Sequence, residues 1–281
     1  MKTVLTIAGY DPSSGAGVTA DLMVFAAHRL YGTSAITSLT VQSTLGVRSS
    51  HPVDPALLAE TLACLEADLP AAGIKIGMLA TAATVAVVCD YLERRRRAGV
   101  LRGPAAPVVL DPVLRSSSGK ELLDPEGLRL MRRRLLPIVD WVTPNLHELA
   151  VLTGEPVRTA EDLPRAARRL QQLASESGAP HGCAPGVFAK GGHLDRPDDL
   201  LLAADGSALW LPGERIETTS THGTGCALSS SFLSGLVIGR TSQEAARSAK
   251  RYVAEALRQA EAIGSGAGPI NHLWSFANPS L

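Results

Sequence analysis

Thr3–Thr40 reads TVLTIAGYDPSSGAGVTADLMVFAAHRLYGTSAITSLT, and the order of patterns within it decides the fold class. Thr3–Ala8 is an apolar, β-branched run that stops at Gly9, as a buried strand does before a turn. GYDPSSGAG is a loop, a helical pattern runs from Val18 to about Leu30 with Gly32 closing it, and Ser34–Thr40 reads as the next strand. Strand, helix, strand is the unit of a parallel sheet. Outward from this unit the alternation continues with a helix over Pro55–Asp68, a strand at Ile74–Met78, a helix over Thr81–Arg97 and a strand at Val108–Asp111. A helix around Pro125–Leu136, a strand at Trp141–Thr143, a short helix from Leu146, a helix over Glu161–Ser175 and a strand at Val187–Lys190 follow. Asp205-Gly206 between Leu200–Ala203 and Ala208–Leu211 marks a hairpin, and helices over Gly223–Gly239 and Ser242–Ala262 come last. The expectation is one α/β domain over residues 1–281, a mostly parallel central sheet with helices on both faces.

A chain of 281 residues with 45% hydrophobic content can bury the core such a domain needs. Its 27 basic residues balance its 27 acidic ones, so no net field draws it to nucleic acid or to a lipid surface. A small molecule is the expected partner. Cysteines 64, 89, 183 and 226 have neither C-x-x-C nor zinc-ligand spacing, which points to a reducing compartment. The opening apolar run is too short for a signal-peptide core and no apolar run reaches the ~18 residues of a membrane span, so the reading is cytoplasmic with no membrane partner. Cys64 and Cys89 fall in helical patterns and are expected to be buried. Arg94–Arg97 and Arg132–Arg134 read as solvated helix surface, Leu173–Pro185 as a mobile connection, and no apolar stripe marks an interface.

Gly15, Gly17 and Ala20 match the dinucleotide pattern G-x-G-x-x-A, but the acid expected roughly 20 residues later is missing, and Thr40, Val41, Gln42 and Ser43 stand there instead. No Walker-type phosphate loop exists either. Ligands in open parallel sheets bind beyond the strand ends, where this chain puts Asp11, Gln42, Met78, Asp111, Asn145, Glu148 and Lys190. Each alone has an ordinary structural explanation, as a cap or a turn; their convergence on one edge favours a site. Thr221–Ser231 reads THGTGCALSSS, in which Gly223 and Gly225 bracket Thr224 at a helix start, an anion hole built from free N–H groups. Cys226 stands in the first turn, where a thiol pKa is expected to fall to roughly 3.5–7.5. Phosphoryl transfer needs an anion hole, a cation with its magnesium ligands and a base, and all have candidates here. Asp111 and Glu148 suit Mg²⁺, and Lys190 offers a point charge for a phosphate tail.

Together, TIAGYDPSSGAGVTADL, TVQSTLGV, KIGML, VVLDPV with SSSG after it, VTPNLHEL, FAKGGHL, THGTGCALSSS and GPINHLW form an ordered series covering nearly the whole chain. This series resembles the hydroxymethylpyrimidine/phosphomethylpyrimidine kinases of thiamine biosynthesis, within the ribokinase-like superfamily. The resemblance implies a ribokinase-like three-layer sandwich that uses ATP and Mg²⁺, with Asn145 and Glu148 organising the metal and the phosphates. It implies that Thr221, Gly223, Thr224 and Gly225 surround the transferred group, and that Cys226 takes the place of the catalytic Asp of sugar kinases. Gly9, Asp11, Ala16, Gln42 and Met78 would line the pyrimidine pocket, and a homodimer is expected because superfamily members are often dimers. The implied reaction converts 4-amino-5-hydroxymethyl-2-methylpyrimidine to its monophosphate and then to the pyrophosphate. Gln42 has a carboxamide that matches the amino group and ring nitrogen of such a ring. Tyr10 and Ala227 depart from the usual pattern; an aromatic at 10 stacks on the substrate or faces solvent. A pyridoxal kinase and a non-catalytic pyrimidine sensor are the rival readings.

Overall fold

The computed structural model describes residues 1–99, 106–116, 119–178, 184–192, 194 and 196–277, among which nine strands form one sheet. In chain order they are β1 (Thr3–Tyr10), β2 (Tyr31–Ser43), β3 (Gly46–Pro52), β4 (Ile74–Ile76), β5 (Val108–Leu110), β6 (Trp141–Val142), β7 (Gly186–Ala189), β8 (Asp199–Leu202) and β9 (Ala208–Leu211). They lie in the order β3-β2-β1-β4-β5-β6-β7-β8-β9, and neighbours from β2 through β7 are parallel. Their C-terminal ends therefore share one edge, which gathers residues far apart in sequence.

The named helices are α1 (Gly17–Ala27), α2 (Pro55–Asp68), α3 (Ala82–Arg97), α4 (Pro125–Leu130), α5 (Leu146–Thr153), α6 (Asp162–Glu176), α7 (Thr224–Val237) and α8 (Ser242–Arg258). Several starts are written in the sequence: Asp54 caps α2 ahead of Pro55, and Thr81 and Thr241 open capping boxes on α3 and α8. The helices make two outer layers. Because successive strand residues point to opposite faces, Val108 and Leu110 join the core under α2, α3 and α6, while Val109 joins the core under α1, α7 and α8. Phe232 of α7 is fully buried and meets Trp141 and Phe188 edge-on at centroid distances of 5.1 and 5.2 Å, anchoring the helix whose N-terminus faces the site. Such a phenylalanine is worth about 3–5 kcal/mol against alanine.

Several expectations are corrected. β3 is an antiparallel edge strand paired with β2, and its sequence GVRSSHP hides it by lacking apolar alternation. The sheet is antiparallel at its other edge as well, where β8 and β9 form the hairpin expected at Asp205-Gly206 and β8 also runs antiparallel to β7. The helix expected over Pro125–Leu136 is α4 followed by a π turn over Met131–Leu135 and a 3-10 turn over Leu136–Ile138. In the arginine runs Arg94, Arg97 and Arg133 are exposed as expected, but the other four are clamps. Arg95 is buried, donating to the Ala71 carbonyl and pairing with Glu66; Arg96 donates to the Ile138 carbonyl, Arg132 to that of Val151, and Arg134 pairs with Asp90 and Glu93. Cys64 is exposed, whereas Cys89 is buried as expected and its thiol is pushed up to about 12 by that burial. Of the supposed linker Leu173–Pro185, residues 173–176 belong to α6, and 179–183, Cys183 included, lie outside the described residues. Leu39, Val41 and Leu45 are exposed, so an apolar stripe does exist on the β2–β3 side. Among the described residues no helix is long and apolar enough to cross a membrane.

His28, just past the end of α1, is buried with Nε2 2.9 Å from Ser231 Oγ. Burial, and after it the charge of Arg240, lowers its pKa from 6.5 to about 4. The unfolded chain takes up a proton near 6.5 that the folded chain refuses until about 4, so stability is lost as pH falls through that window, by about 3 kcal/mol. His28→Gln is expected to flatten this dependence, checked by denaturant unfolding at about pH 7 and about pH 4.5.

Candidate active site

The loop after β1 is held by Asp11. Its Oδ1 accepts from the Ser13 amide at 2.8 Å and the Ser13 hydroxyl at 2.6 Å, and its Oδ2 accepts from the Ala16 amide at 2.9 Å and His222 Nε2 at 2.8 Å. Burial alone would raise this carboxyl, but the bonds from His222 and Ser13 outweigh it and hold the pKa below 3.8. The loop is fastened to the start of α7. His272 Nε2 lies 3.1 Å from the Gly15 carbonyl oxygen, and a Cβ on Gly223, whose φ is +87°, would collide with that same oxygen. Glycine is required at 223 for both reasons.

Gly223 leaves the chain in the left-handed region and α7 begins at Thr224 with no side chain capping its amides. Free N–H groups there remain available to an anion, as the GTGC pattern predicts. Cys226 corrects the sequence reading. Burial pushes its thiol up to about 11; Lys75 opposes this, the carboxylates of Asp21 and Asp111 add to it, and an N–H from Gly17 opposes it again. The sulfur is a thiol at neutral pH, because desolvation outweighs the helix end.

Beneath it lies a group that sequence reasoning missed. Lys75, fully buried in β4, pairs with Asp21 of α1 at 2.8 Å, and Asp21 also accepts from Thr6 at 2.6 Å and Ser230 at 2.7 Å. Lys75 donates to both oxygens of Asp21, at 3.0 and 2.8 Å, and the two hydroxyls complete the carboxylate's partners, which is what a buried ion pair needs to persist. The signal was available: a lysine between Ile74 and Ile76 in a buried strand has to find a partner.

Beside the start of α7, Lys190 after β7 reaches Asp111 after β5 at 2.7 Å and Glu148 of α5 at 3.6 Å. Asp111 also accepts from Thr143 at 3.2 Å and Ser229 at 3.3 Å. Burial raises its carboxyl, but Lys190 and Lys75 outweigh burial and keep it below its ordinary value. Glu148 is raised, first by burial and then by Asp111, with Lys190 opposing. Asn145 and Glu148 form a capping box on α5: Asn145 Oδ1 accepts from the Glu148 amide at 2.9 Å, and Glu148 Oε2 accepts from the Asn145 amide at 2.8 Å. The donor set of Asp111 and Glu148 is all oxygen, buried, and already gathers a cation in the Lys190 ammonium, so it fits Mg²⁺, which takes one or two carboxylates beside phosphates and water.

One open cleft of about 1590 Å³ is lined by every site residue read from the sequence: Gly9, Asp11, Ala16, Gln42 and Met78 at one part, and Asp111, Asn145, Glu148, Lys190, Thr221, Gly223, Thr224, Gly225 and Cys226 at another. That volume exceeds the ~300–1,000 Å³ of a single-ligand pocket, so two reactants have room in it. Tyr10 is half-buried and lines the cleft, as do Lys75 and His222. His222 stands inside THGTGC with no local signal of its role. Its ring reaches Asp11 and Gln42 from 211 and 180 residues away, a link that no local pattern displays.

A sheet of this order between two helix layers, with an uncapped glycine-led helix end set beside a lysine–carboxylate cluster in one cleft, defines a ribokinase-like small-molecule kinase. The family model for phosphomethylpyrimidine kinase matches residues 11–271, and the chain belongs to that family. The hydroxymethylpyrimidine/phosphomethylpyrimidine kinase of Haemophilus influenzae is 36% identical over 282 residues, covering 99% of this chain and 98% of its own length. The thiamine biosynthesis bifunctional protein ThiED of Geobacter sulfurreducens is 38% identical over 273 residues, 96% of this chain, and this chain spans only 52% of that longer protein. Among solved structures, the ADP complex of Bacillus subtilis pyridoxal kinase superposes with a TM-score of 0.84 at 28% identity, over 99% of this chain and 100% of that one.

Proposed function

We propose that the chain transfers the γ-phosphoryl group of ATP to the hydroxymethyl oxygen of 4-amino-5-hydroxymethyl-2-methylpyrimidine, and then adds a second phosphoryl group to give the pyrophosphate. The observation that carries this reading is the single cleft in which Gln42, Asp11 and Met78 face the Gly223–Cys226 helix end and the Lys190–Asp111–Glu148 cluster. Gln42 and its neighbours hold the ring, the α7 amides receive the transferred group, and Lys190 neutralises the phosphate tail. Asp111 and Glu148, with Asn145 ordering the turn, would hold Mg²⁺, whose charge offsets that of the phosphates when bound. Cys226 takes the hydroxyl proton in its thiolate form. The enzyme works as one cytoplasmic kinase unit over residues 1–281 and as a homodimer, for which the exposed Leu39, Val41 and Leu45 offer a face to cover; sizing chromatography of Val41→Lys checks this. No nucleic acid or membrane takes part.

Product analysis after incubation with the pyrimidine, ATP and Mg²⁺ tests the reading, since no product, monophosphate and pyrophosphate are distinct outcomes. Absence of any phosphorylated pyrimidine overturns it. The pyridoxal kinase reading is kept because several structural neighbours carry that name. Pyridoxal lacks the amino group that a carboxamide reads in pair with a ring nitrogen, a pairing worth about 1–3 kcal/mol. Gln42→Leu is therefore expected to raise KM for the pyrimidine about 10- to 100-fold while moving that for pyridoxal little, measured by coupled ATP consumption.

A further inference from the structure

The two ends of the Gln42 carboxamide lie 3.0 Å from His222 Nε2 and 3.3 Å from Thr40 Oγ1. Which end is oxygen follows from the neighbours. Asp11 is a carboxylate that accepts from both groups of Ser13 and from the Ala16 amide, and it can only accept from His222 too, so Nε2 carries a proton. A protonated ring nitrogen has no lone pair left for Gln42, and the group facing it must be the carboxamide oxygen. At the other end, the single hydroxyl proton of Thr40 goes to the Tyr10 carbonyl at 2.9 Å. Oγ1 can then only accept from Gln42, and the group facing it must be the amide nitrogen. In the orientation with Nε2 toward His222 and Oε1 toward Thr40 both contacts set like against like; turning the carboxamide half a revolution lets Thr40 accept from the amide and lets the one Nε2 proton be shared between Asp11 and the carboxamide oxygen, and moves no neighbour. Two unrelated neighbours thus select one orientation.

We propose that His222, held by Asp11, is a specificity-determining residue that locks the Gln42 carboxamide with its oxygen toward the GTGC loop and its nitrogen toward Thr40, so that the ring binds in one sense only. This rests on the aminopyrimidine reading above. His222 and Thr40 use one lone pair and one proton of the carboxamide, which leaves one acceptor on the His222 side and one donor on the Thr40 side for a ligand. Around the ring of 4-amino-5-hydroxymethyl-2-methylpyrimidine, a ring nitrogen, the amino group and the hydroxymethyl arm stand at successive positions. With the amino group donating to the oxygen on the His222 side, the arm, one position further on, points to Gly223–Cys226, which follow His222 in the chain and line the same cleft. The opposite orientation of Gln42 would turn the arm away from the helix end. The lock therefore selects the ring and aims its hydroxyl together.

A 4-oxo counterpart of the substrate, with an N–H at the ring nitrogen and a carbonyl where the amino group stood, presents the inverted pattern. The locked carboxamide is expected to prefer the amino compound by about 10- to 100-fold in kcat/KM. His222→Leu removes one of the two contacts that select the orientation and leaves Thr40 alone to hold it, so it should reduce that ratio about threefold or more, with the oxo compound gaining relative to the amino one. His222→Gln sets an amide nitrogen with two protons near the place of Nε2 and should keep the ratio. His222→Asn, polar but too short for both partners, takes the place of the leucine variant if that one does not fold. General damage lowers both substrates together and leaves the ratio alone; that result, or a His222→Gln variant that behaves like leucine, overturns the proposal. Failure of the unsubstituted chain to phosphorylate the amino compound overturns the parent reading as well, whereas turnover with a ratio indifferent to residue 222 overturns only the lock.

Discussion

Cys226→Ala is expected to lower kcat by ~10² to 10⁴, the usual worth of a general base, while ATP binding and the folded state persist. The sulfur is small, the change leaves α7 intact, and Ala227 beside it already shows that alanine is accommodated there. The pH dependence gives the sharper result. With its thiol raised to about 11 by burial, Cys226 holds only a trace of thiolate at neutral pH, and that fraction grows as pH rises toward the raised value. Turnover of the unsubstituted enzyme should therefore climb with pH through the neutral range, and Cys226→Ala should lose the climb as well as the rate. Cys226→Asp supplies a carboxylate already ionised at neutral pH, so part of the rate should return with a flat profile. Alkylation followed residue by residue adds a second check: exposed Cys64 reacts first, and Cys226 reacts slowly, faster with rising pH, and not at all under bound substrate. Undiminished turnover in Cys226→Ala with an unchanged profile would reduce the thiol to packing.

The alternation of patterns made the sheet legible, because buried parallel strands are short apolar β-branched runs and their helices begin with readable caps, as at Asp54 and Thr81. β3 was hidden for the same reason in reverse: an edge strand of Arg, Ser and His is held by backbone pairing to β2 and shows no apolar period. Within the arginine runs Arg95 and Arg96 misled because charge implies solvent only when no carbonyl or carboxylate awaits it, and their partners sit 24 and 42 residues away. In the site, the strand-end rule alone brings Asp11, Gln42, Asp111 and Lys190 to one edge. It could not show that they are wired to one another. Asp11 is bound to His222, Asp111 to Lys190, and Cys226 stands over a buried lysine, and each link joins segments that only the fold brings together. The thiol shows the limit of a local rule most clearly: a helix N-terminus lowers a pKa, but burial acted on the same atom and was larger.

Glu148→Gln is expected to raise the Mg²⁺ concentration for half-maximal turnover by about 10- to 100-fold, the scale on which metal sites respond to loss of a supporting group, and to leave KM for the pyrimidine nearly unchanged. The substitution isolates charge from structure. A glutamine oxygen still accepts from the Asn145 amide as Glu148 does at 2.8 Å, so the start of α5 stays capped, and Lys190 keeps its 2.7 Å bond to Asp111 after losing the 3.6 Å one to Glu148. What disappears is the second negative charge beside a buried cation position. Its titration sets the sign of a further effect. Burial and the nearby Asp111 hold the Glu148 carboxyl above the usual carboxylate range, so a cation arriving there displaces a proton and binds more tightly as pH rises. The glutamine variant has no such proton to lose, and its Mg²⁺ requirement should vary less across the mildly acid range. Steady-state rates against Mg²⁺ at several pH values, with the pyrimidine varied separately, measure both. A variant that lost affinity for the pyrimidine and kept its metal requirement would move Glu148 from the phosphate end of the cleft to the ring end, where Gln42, Asp11 and Met78 already stand.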